Sequence, residues 1–227
     1  MRYNVTEFHT PFNNFTLANK LNLKNIGVYV SKLVGIVGAS GSGKTTIANH
    51  LTEIIKSKGF TVAQFSQDSF YNPIGHPLTN YDEPQALELG LLIESLKKLR
   101  SGAIATIPTY DFVTHRRQPE TETIYPEDFI IVEGLFLLSD PVLTDLFDTT
   151  VYLDICPEVC FDRRMFRDQF ERGRTPDDIR RQYVDQVYPG FERYILPFIS
   201  KATISIEDLT PLEMASIIFD ELSIGSN

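Results

Sequence analysis

Eight consecutive residues, Gly38-Ala39-Ser40-Gly41-Ser42-Gly43-Lys44-Thr45, match the spacing G-x-x-x-x-G-K-[ST] at every fixed position. These residue types in this order suit one task. Glycines let the backbone turn tightly, so that successive N–H groups converge on a single anion. Lys44 adds a full positive charge toward the outer phosphates of a bound nucleotide. The hydroxyl of Thr45 can hold a magnesium ion, and Thr46 follows at the start of the helix. The flanks agree with this reading. Leu33 to Val37 is a short apolar run of the kind a buried parallel strand requires. Ile47, Leu51, Ile54 and Ile55 recur at helical spacing, and Gly59 stands where that helix should stop.

Other side chains can supply the rest of a phosphate-transfer reaction. Asp68 follows a second strand-like run, Phe60 to Phe65, and ligands of open parallel sheets sit beyond the carboxyl ends of the strands. A carboxylate there can accept the proton of an attacking hydroxyl; the plainer alternative is a turn aspartate. Glu133 closes the apolar run Phe129 to Val132, where an acid can help organise magnesium. Arg163, Arg164, Arg167, Arg172 and Arg174 lie within twelve residues, and Gly173 offers a hinge. Arg164 and Arg167, three apart, share a helix face. Fixed guanidinium groups stabilise the charge of a moving phosphoryl group, and a hinged segment can close over it as a lid. The competing reading is a solvated helix whose arginines pair with Asp162, Asp168 and Glu171. Tyr110, Phe112 and His115 can form a flat slot for a planar ring, or simply be packing aromatics beside a loop histidine. Asp82 can accept hydrogen bonds from vicinal sugar hydroxyls, although Asp-Glu-Pro is also ordinary turn chemistry.

These groups need a frame. The chain has 227 residues, 42% of them hydrophobic, enough for one sizeable core. Strand runs at 60–65, 129–132, 151–153 and 202–206 alternate with helical patterns. One of these carries Leu87, Leu91, Leu92, Leu96 and Leu99, another Met214, Ile217, Ile218 and Leu222. Such alternation predicts an α/β fold with a parallel sheet covered on both faces. Residues 110–117 read as a loop. A further helix is predicted from the Thr175 cap, with Pro176 at its first position, to about Pro189. Residues 1–31 form an extension in which Phe8, Phe12, Phe15 and Leu17 alternate loosely with polar residues and Val28 and Val30 can begin a strand; 32–227 is the expected functional domain. The net charge of −9 argues against a general nucleic-acid binder, which needs a basic face. No apolar run approaches the roughly 20 residues of a membrane span, and the N-terminus has no signal-peptide core. Cys156 and Cys160, four apart on an expected helix, lack the partners of a zinc site and read as reduced thiols in a cytoplasmic setting.

Taken together, the stretches Gly38–Thr46, Gln67-Asp68-Ser69-Phe70-Tyr71, Asn80-Tyr81-Asp82-Glu83-Pro84, Tyr110-Asp111-Phe112-Val113-Thr114-His115, Val132-Glu133-Gly134 and Arg164–Arg174 with Gln182-Tyr183 resemble the uridine–cytidine kinase family of phosphate-loop kinases. The resemblance spans about residues 33 to 206. It implies phosphorylation of a pyrimidine ribonucleoside at its 5′-hydroxyl by ATP or GTP with Mg²⁺. It further implies five parallel strands and a small β-hairpin over the nucleoside, in an assembly that is often tetrameric. On that resemblance Asp68 is the base and a metal-site neighbour of Thr45 and Glu133. Tyr71, Tyr110 and His115 contact the nucleobase, with Tyr81 and Phe112 beside them. Asp82 and Gln182 hold the ribose, and Arg164, Arg167, Arg172 and Arg174 serve phosphate and lid. Tyr81 stands where the family usually has phenylalanine, Glu83 where it has histidine, and Arg116 and Arg117 add charge after His115. Two other readings stay open on the residues alone. One is a related kinase acting on another small metabolite, phosphoribulokinase- or pantothenate kinase-like. The other is a nucleotide-binding regulatory module without catalysis.

Overall fold

The computed structural model describes residues 30–72, 80–112, 114 and 116–224. Among the described residues seven strands form two sheets. Five are parallel, in the order β2 (Val62–Ser66), β5 (Phe129–Gly134), β1 (Lys32–Gly38), β6 (Thr149–Asp154) and β7 (Ile204–Glu207). The other two, β3 (Ala105–Asp111) and β4 (Arg116–Ile124), pair antiparallel as a separate hairpin. β1 is central, flanked by β5 and β6, so the strand that leads into the glycine loop is buried along both edges.

Side chains of one strand alternate between two cores, as the period of a strand requires. Leu33 and Val37 of β1 join Ile130 and Val132 of β5 on one face, against Leu92, Leu96 and Leu99 of α2 (Leu89–Arg100). Val34 and Ile36 join Ile131 on the other. There Ile47, Leu51 and Ile55 of α1 (Lys44–Ser57) and Met214, Ile218 and Leu222 of α7 (Pro211–Ile224) cover them. β1 and β5 are therefore buried almost throughout rather than alternating, which is the mark of a sheet with both faces covered. A short α3 (Pro141–Thr144) precedes β6. Among the described residues no helix is long and apolar enough to cross a membrane.

Several local expectations change. The stretch 110–117, read as a loop, begins inside strand β3 and ends in β4, because Tyr110 and Asp111 pair with Arg117 and Arg116. The helix capped by Thr175 does not stop near Pro189. After α4 (Pro157–Phe170), α5 (Pro176–Gln182) continues through a single π-turn, Tyr183–Val187, into α6 (Tyr188–Tyr194). Pro189 stands just after the π-turn, where the change in hydrogen-bond register accommodates a residue without an N–H inside a continuous helical run. Cys160 is buried within α4, whereas Cys156 caps that helix and is exposed; both are free thiols. Phe8, Phe12, Phe15, Leu17 and Val28 lie outside the described residues, and Val30 precedes β1 without joining a strand.

Candidate active site

The glycine loop runs from the end of β1 to the first turn of α1. Gly41 and Gly43 have φ of 88° and 92°, the left-handed region that favours glycine. A Cβ on Gly41 would stand 2.1 Å from the carbonyl oxygen of Cys160, so the start of α4 is seated directly on the loop. Gly43 caps α1 without a side chain, which leaves the first-turn N–H groups of Lys44, Thr45 and Thr46 facing the loop. Unpartnered helix N–H groups at a positive dipole end make an anion seat. Lys44 Nζ donates to the carbonyls of Gly38 (3.1 Å) and Ala39 (3.0 Å), folding its charge across the cradle. Burial pulls its ammonium below the ordinary lysine range, with Glu133 and Asp68 pulling the other way.

The two carboxylates arrive from neighbouring strands. Ser66 ends β2 opposite Glu133 of β5, and its Oγ accepts from the Asp68 N–H at 3.2 Å, starting the single 3₁₀ turn Gln67–Phe70. Gln67, fully buried, accepts from the Phe136 N–H at 2.9 Å, and only a glycine fits at 134 beneath its amide. This packing fixes where Asp68 begins. Thr45 Oγ1 donates to Glu133 Oε1 at 3.2 Å. A hydroxyl and a carboxylate oxygen beside an anion seat fit a hard cation that would share the remaining contacts with phosphate oxygens and water. Asp68 is itself pushed up to about 6, first by burial and then by Glu133, against Lys44, Arg172 and Arg167.

An aromatic wall stands beyond Asp68. Tyr71 and Tyr110 have ring centres 5.2 Å apart, Tyr110 and Phe112 5.3 Å, and Tyr71 and Tyr81 5.5 Å. The Tyr71 hydroxyl donates to the Tyr81 carbonyl at 3.0 Å. Segment 84–88 lines up against residues 70–72 through Asn72 N–H to Ala86 and Glu88 N–H to Phe70, which brings Tyr81 and Asp82 beside Tyr71. Asp82 is buried, its backbone packed so closely on Gly190 of α6 that a Cβ there would overlap its carbonyl. Gln182 Nε2 donates to Asp82 Oδ2 at 3.3 Å. Burial raises the Asp82 carboxyl, opposed by Arg164 and Arg174. The hairpin that carries Tyr110 and Phe112 is tied down by Arg117, which forms an ion pair with Glu88. His115 lies outside the described residues.

The arginines divide. Arg163 stays outside the cluster and pairs with Asp208 at 3.4 Å, its guanidinium beside Gly43 of the loop. Arg164, Arg167, Arg172 and Arg174 converge on Asp168 at 3.6, 2.7, 3.6 and 3.4 Å. Buried Arg164 also reaches Ser40 Oγ in the glycine loop and Gln182 Oε1, at 2.5 and 3.1 Å. Arg174 donates to the same Gln182 oxygen. The Arg172 guanidinium lies 4.6 Å from the centre of the Phe112 ring. The solvated-helix reading of this stretch is therefore half right. Asp168 does pair with the arginines, but it is fully buried and faces the site. Sequence reasoning treated it as a surface partner. The available signal was that all four arginines lie within six residues of this one acid.

Residues 33–215 match the model of the phosphoribulokinase / uridine kinase family. The uridine kinase of Staphylococcus haemolyticus strain JCSC1435 is 41% identical over 183 residues, covering 78% of this chain and 87% of its own. That of Staphylococcus aureus strain JH9 gives the same identity and coverage. Among solved structures, the D-glycerate 3-kinase of Cryptococcus neoformans superposes with a TM-score of 0.61 at 19% identity, covering 72% of this chain and 78% of that one. The phosphoribulokinase of Rhodobacter spheroides superposes with a TM-score of 0.59 at 14% identity, covering 80% and 74%. The structural likenesses are likenesses of fold.

Proposed function

The chain belongs to the phosphoribulokinase / uridine kinase family and is a phosphotransferase; on that premise we propose that it phosphorylates uridine, cytidine or both at the 5′-hydroxyl, with ATP or GTP as donor. The observation that carries the reading is the position of Asp68. It lies between the anion seat of the glycine loop and a wall of Tyr71, Tyr81, Tyr110 and Phe112, and burial together with Glu133 pushes its carboxyl up to about 6. A base with that affinity is ionised at neutral pH yet keeps real affinity for a proton.

In this reading the triphosphate lies on residues 38–46, with Lys44 released from its carbonyls to meet the outer phosphates. The nucleobase stacks on the aromatic wall, with His115 at its edge. Asp82 and Gln182 accept and donate to the ribose hydroxyls, which directs the 5′-hydroxyl to Asp68. Asp68 takes the hydroxyl proton as the oxygen bonds to the γ-phosphorus and the bridging oxygen leaves with the nucleoside diphosphate. Arg164, Arg167, Arg172 and Arg174 meet the charge spread over the moving group. Magnesium, when bound near Thr45 and Glu133, would neutralise donor phosphate oxygens.

A coupled assay of nucleoside diphosphate release over uridine, cytidine, ribulose 5-phosphate and pantothenate, run with ATP (ADP) and with GTP (GDP), tests the proposal. The expected result is turnover with a pyrimidine ribonucleoside at least a hundredfold above the other acceptors. Turnover confined to a sugar phosphate or pantothenate would move the protein to another acceptor class. Nucleotide binding with no transfer to any acceptor would favour a regulatory module.

A further inference from the structure

The four site arginines pose an electrostatic problem. They are like charges gathered in a partly buried space, where their mutual repulsion is poorly screened. One side chain lies at their centre. Asp168 is fully shielded from solvent, and both of its oxygens face guanidinium groups. Oδ1 accepts from Arg167 Nε at 2.9 Å and Nη2 at 2.7 Å, with Arg172 at 3.6 Å. Oδ2 faces Arg164 Nε at 3.6 Å and Arg174 Nη1 at 3.4 Å. The backbone adds a tie, because the Arg174 N–H donates to the Asp168 carbonyl at 3.0 Å across the Gly173 turn.

We propose that Asp168 is a positioning residue for phosphoryl transfer, a buried carboxylate that presets Arg164, Arg167, Arg172 and Arg174 as one array before substrate arrives. The inference rests on the phosphotransfer reading above, and not on the acceptor being a pyrimidine nucleoside. Its contact lengths describe the task. Arg167 is held by two short hydrogen bonds and Arg174 by a longer one at 3.4 Å, whereas Arg164 and Arg172 stand at 3.6 Å as ion pairs. One negative charge against four positive ones lowers the repulsion without cancelling the field that a moving phosphoryl group meets. The array also touches both substrates' surroundings, through Arg164 to Ser40 of the loop, Arg172 over Phe112 of the wall, and Arg164 and Arg174 to Gln182 and so to Asp82. Donors arranged in advance stabilise charge without the cost of reorganising during the reaction.

Asp168→Asn keeps the shape and removes the charge. The expected outcome is a fall in kcat of about a hundredfold with the Kd for ATP unchanged or tighter, since the site becomes more positive. A variant with kcat and both binding constants within threefold of the parent would overturn the proposal. So would equal weakening of ATP and acceptor binding alongside the fall in kcat, which is the signature of general structural damage. The split is read with whichever acceptor the screen identifies, so failure of the nucleoside assignment leaves this test intact. A second measurement needs no folded variant at position 168. In the ligand-free parent protein, NMR should show a slowly exchanging Arg167 Nε–H signal, assigned by its loss in Arg167→Lys. Signal averaging like that of solvated arginines would show that no preset array exists.

Discussion

The glycine-loop cradle and the aromatic wall, to which our proposal assigns donor and acceptor, sit on either side of Asp68 and are built in opposite ways. The cradle is one unbroken stretch, Gly38 to Thr46, and it works mainly through backbone N–H groups and one helix end. The wall is assembled from residues 71, 81–82, 110–112 and 182, which stand just after a 3₁₀ turn, in a tight bend, on a hairpin and on a helix. The difference teaches where each side's tolerance lies. Backbone recognition of phosphate depends on a conformation, so it is sensitive to what glycine alone permits. Recognition by the wall depends on side chains, so it can be altered one residue at a time without dismantling the fold.

The hardest break falls on the chemistry that both regions share. Lys44→Ala and Asp68→Asn should each lower kcat by roughly a thousandfold or more, while isothermal titration shows Asp68→Asn still binding the acceptor. Near-parental turnover of Asp68→Asn would remove its assignment as base. A change confined to the wall should split the two substrates. Tyr110→Ala is expected to raise the acceptor KM by about 10- to 100-fold, the range of losing one stacked ring, with the KM for ATP within twofold. Equal losses for both would mean that the hairpin does not serve one side alone.

The pH profile sharpens the same comparison. Because the Asp68 carboxyl is raised to about 6, the active carboxylate form is present above that value and lost below it. The kcat/KM for the acceptor should therefore rise with pH through about 6 and fall about tenfold per unit on the acid side. A limb that stays near the ordinary aspartate range would contradict the environment described for Asp68. The smallest effect belongs to neither region. Arg180 is exposed and pairs loosely with Asp177 at 3.7 Å. Arg180→Ala should change stability by no more than about 0.5 kcal/mol and leave both KM values alone, as denaturant titration and kinetics would report.

Much of this protein was legible in local patterns. The glycine loop, the apolar strands of the parallel sheet, the helical faces of Leu92, Leu96 and Leu99 and of Met214 and Ile218, and the Thr175 cap all depend on interactions within a few residues. Such interactions leave a period or a spacing in the chain. The extent of the helix after Gln182 was less legible, because Pro189 normally signals an end and here stands just after a π-turn inside a continuous helical run. The stretch 110–117 misled for a different reason. Its aromatics and charges look like a loop until β4 pairs with β3 across the turn.

By itself the amino-acid order determined that a nucleotide-phosphate cradle lies between a buried strand and a helix, since tight turns, helix starts and apolar runs are properties of neighbouring residues. Only the tertiary structure decided which distant side chains complete it. Tyr71 meets Tyr110 across 39 positions and Gln182 meets Asp82 across 100, through the stacking of turn on hairpin and of α6 on the Asp82 backbone. Asp168 shows the division within a single residue. Its neighbouring arginines are visible in the chain, but its burial is not, and burial is what turns an ordinary surface acid into the centre of a charged array.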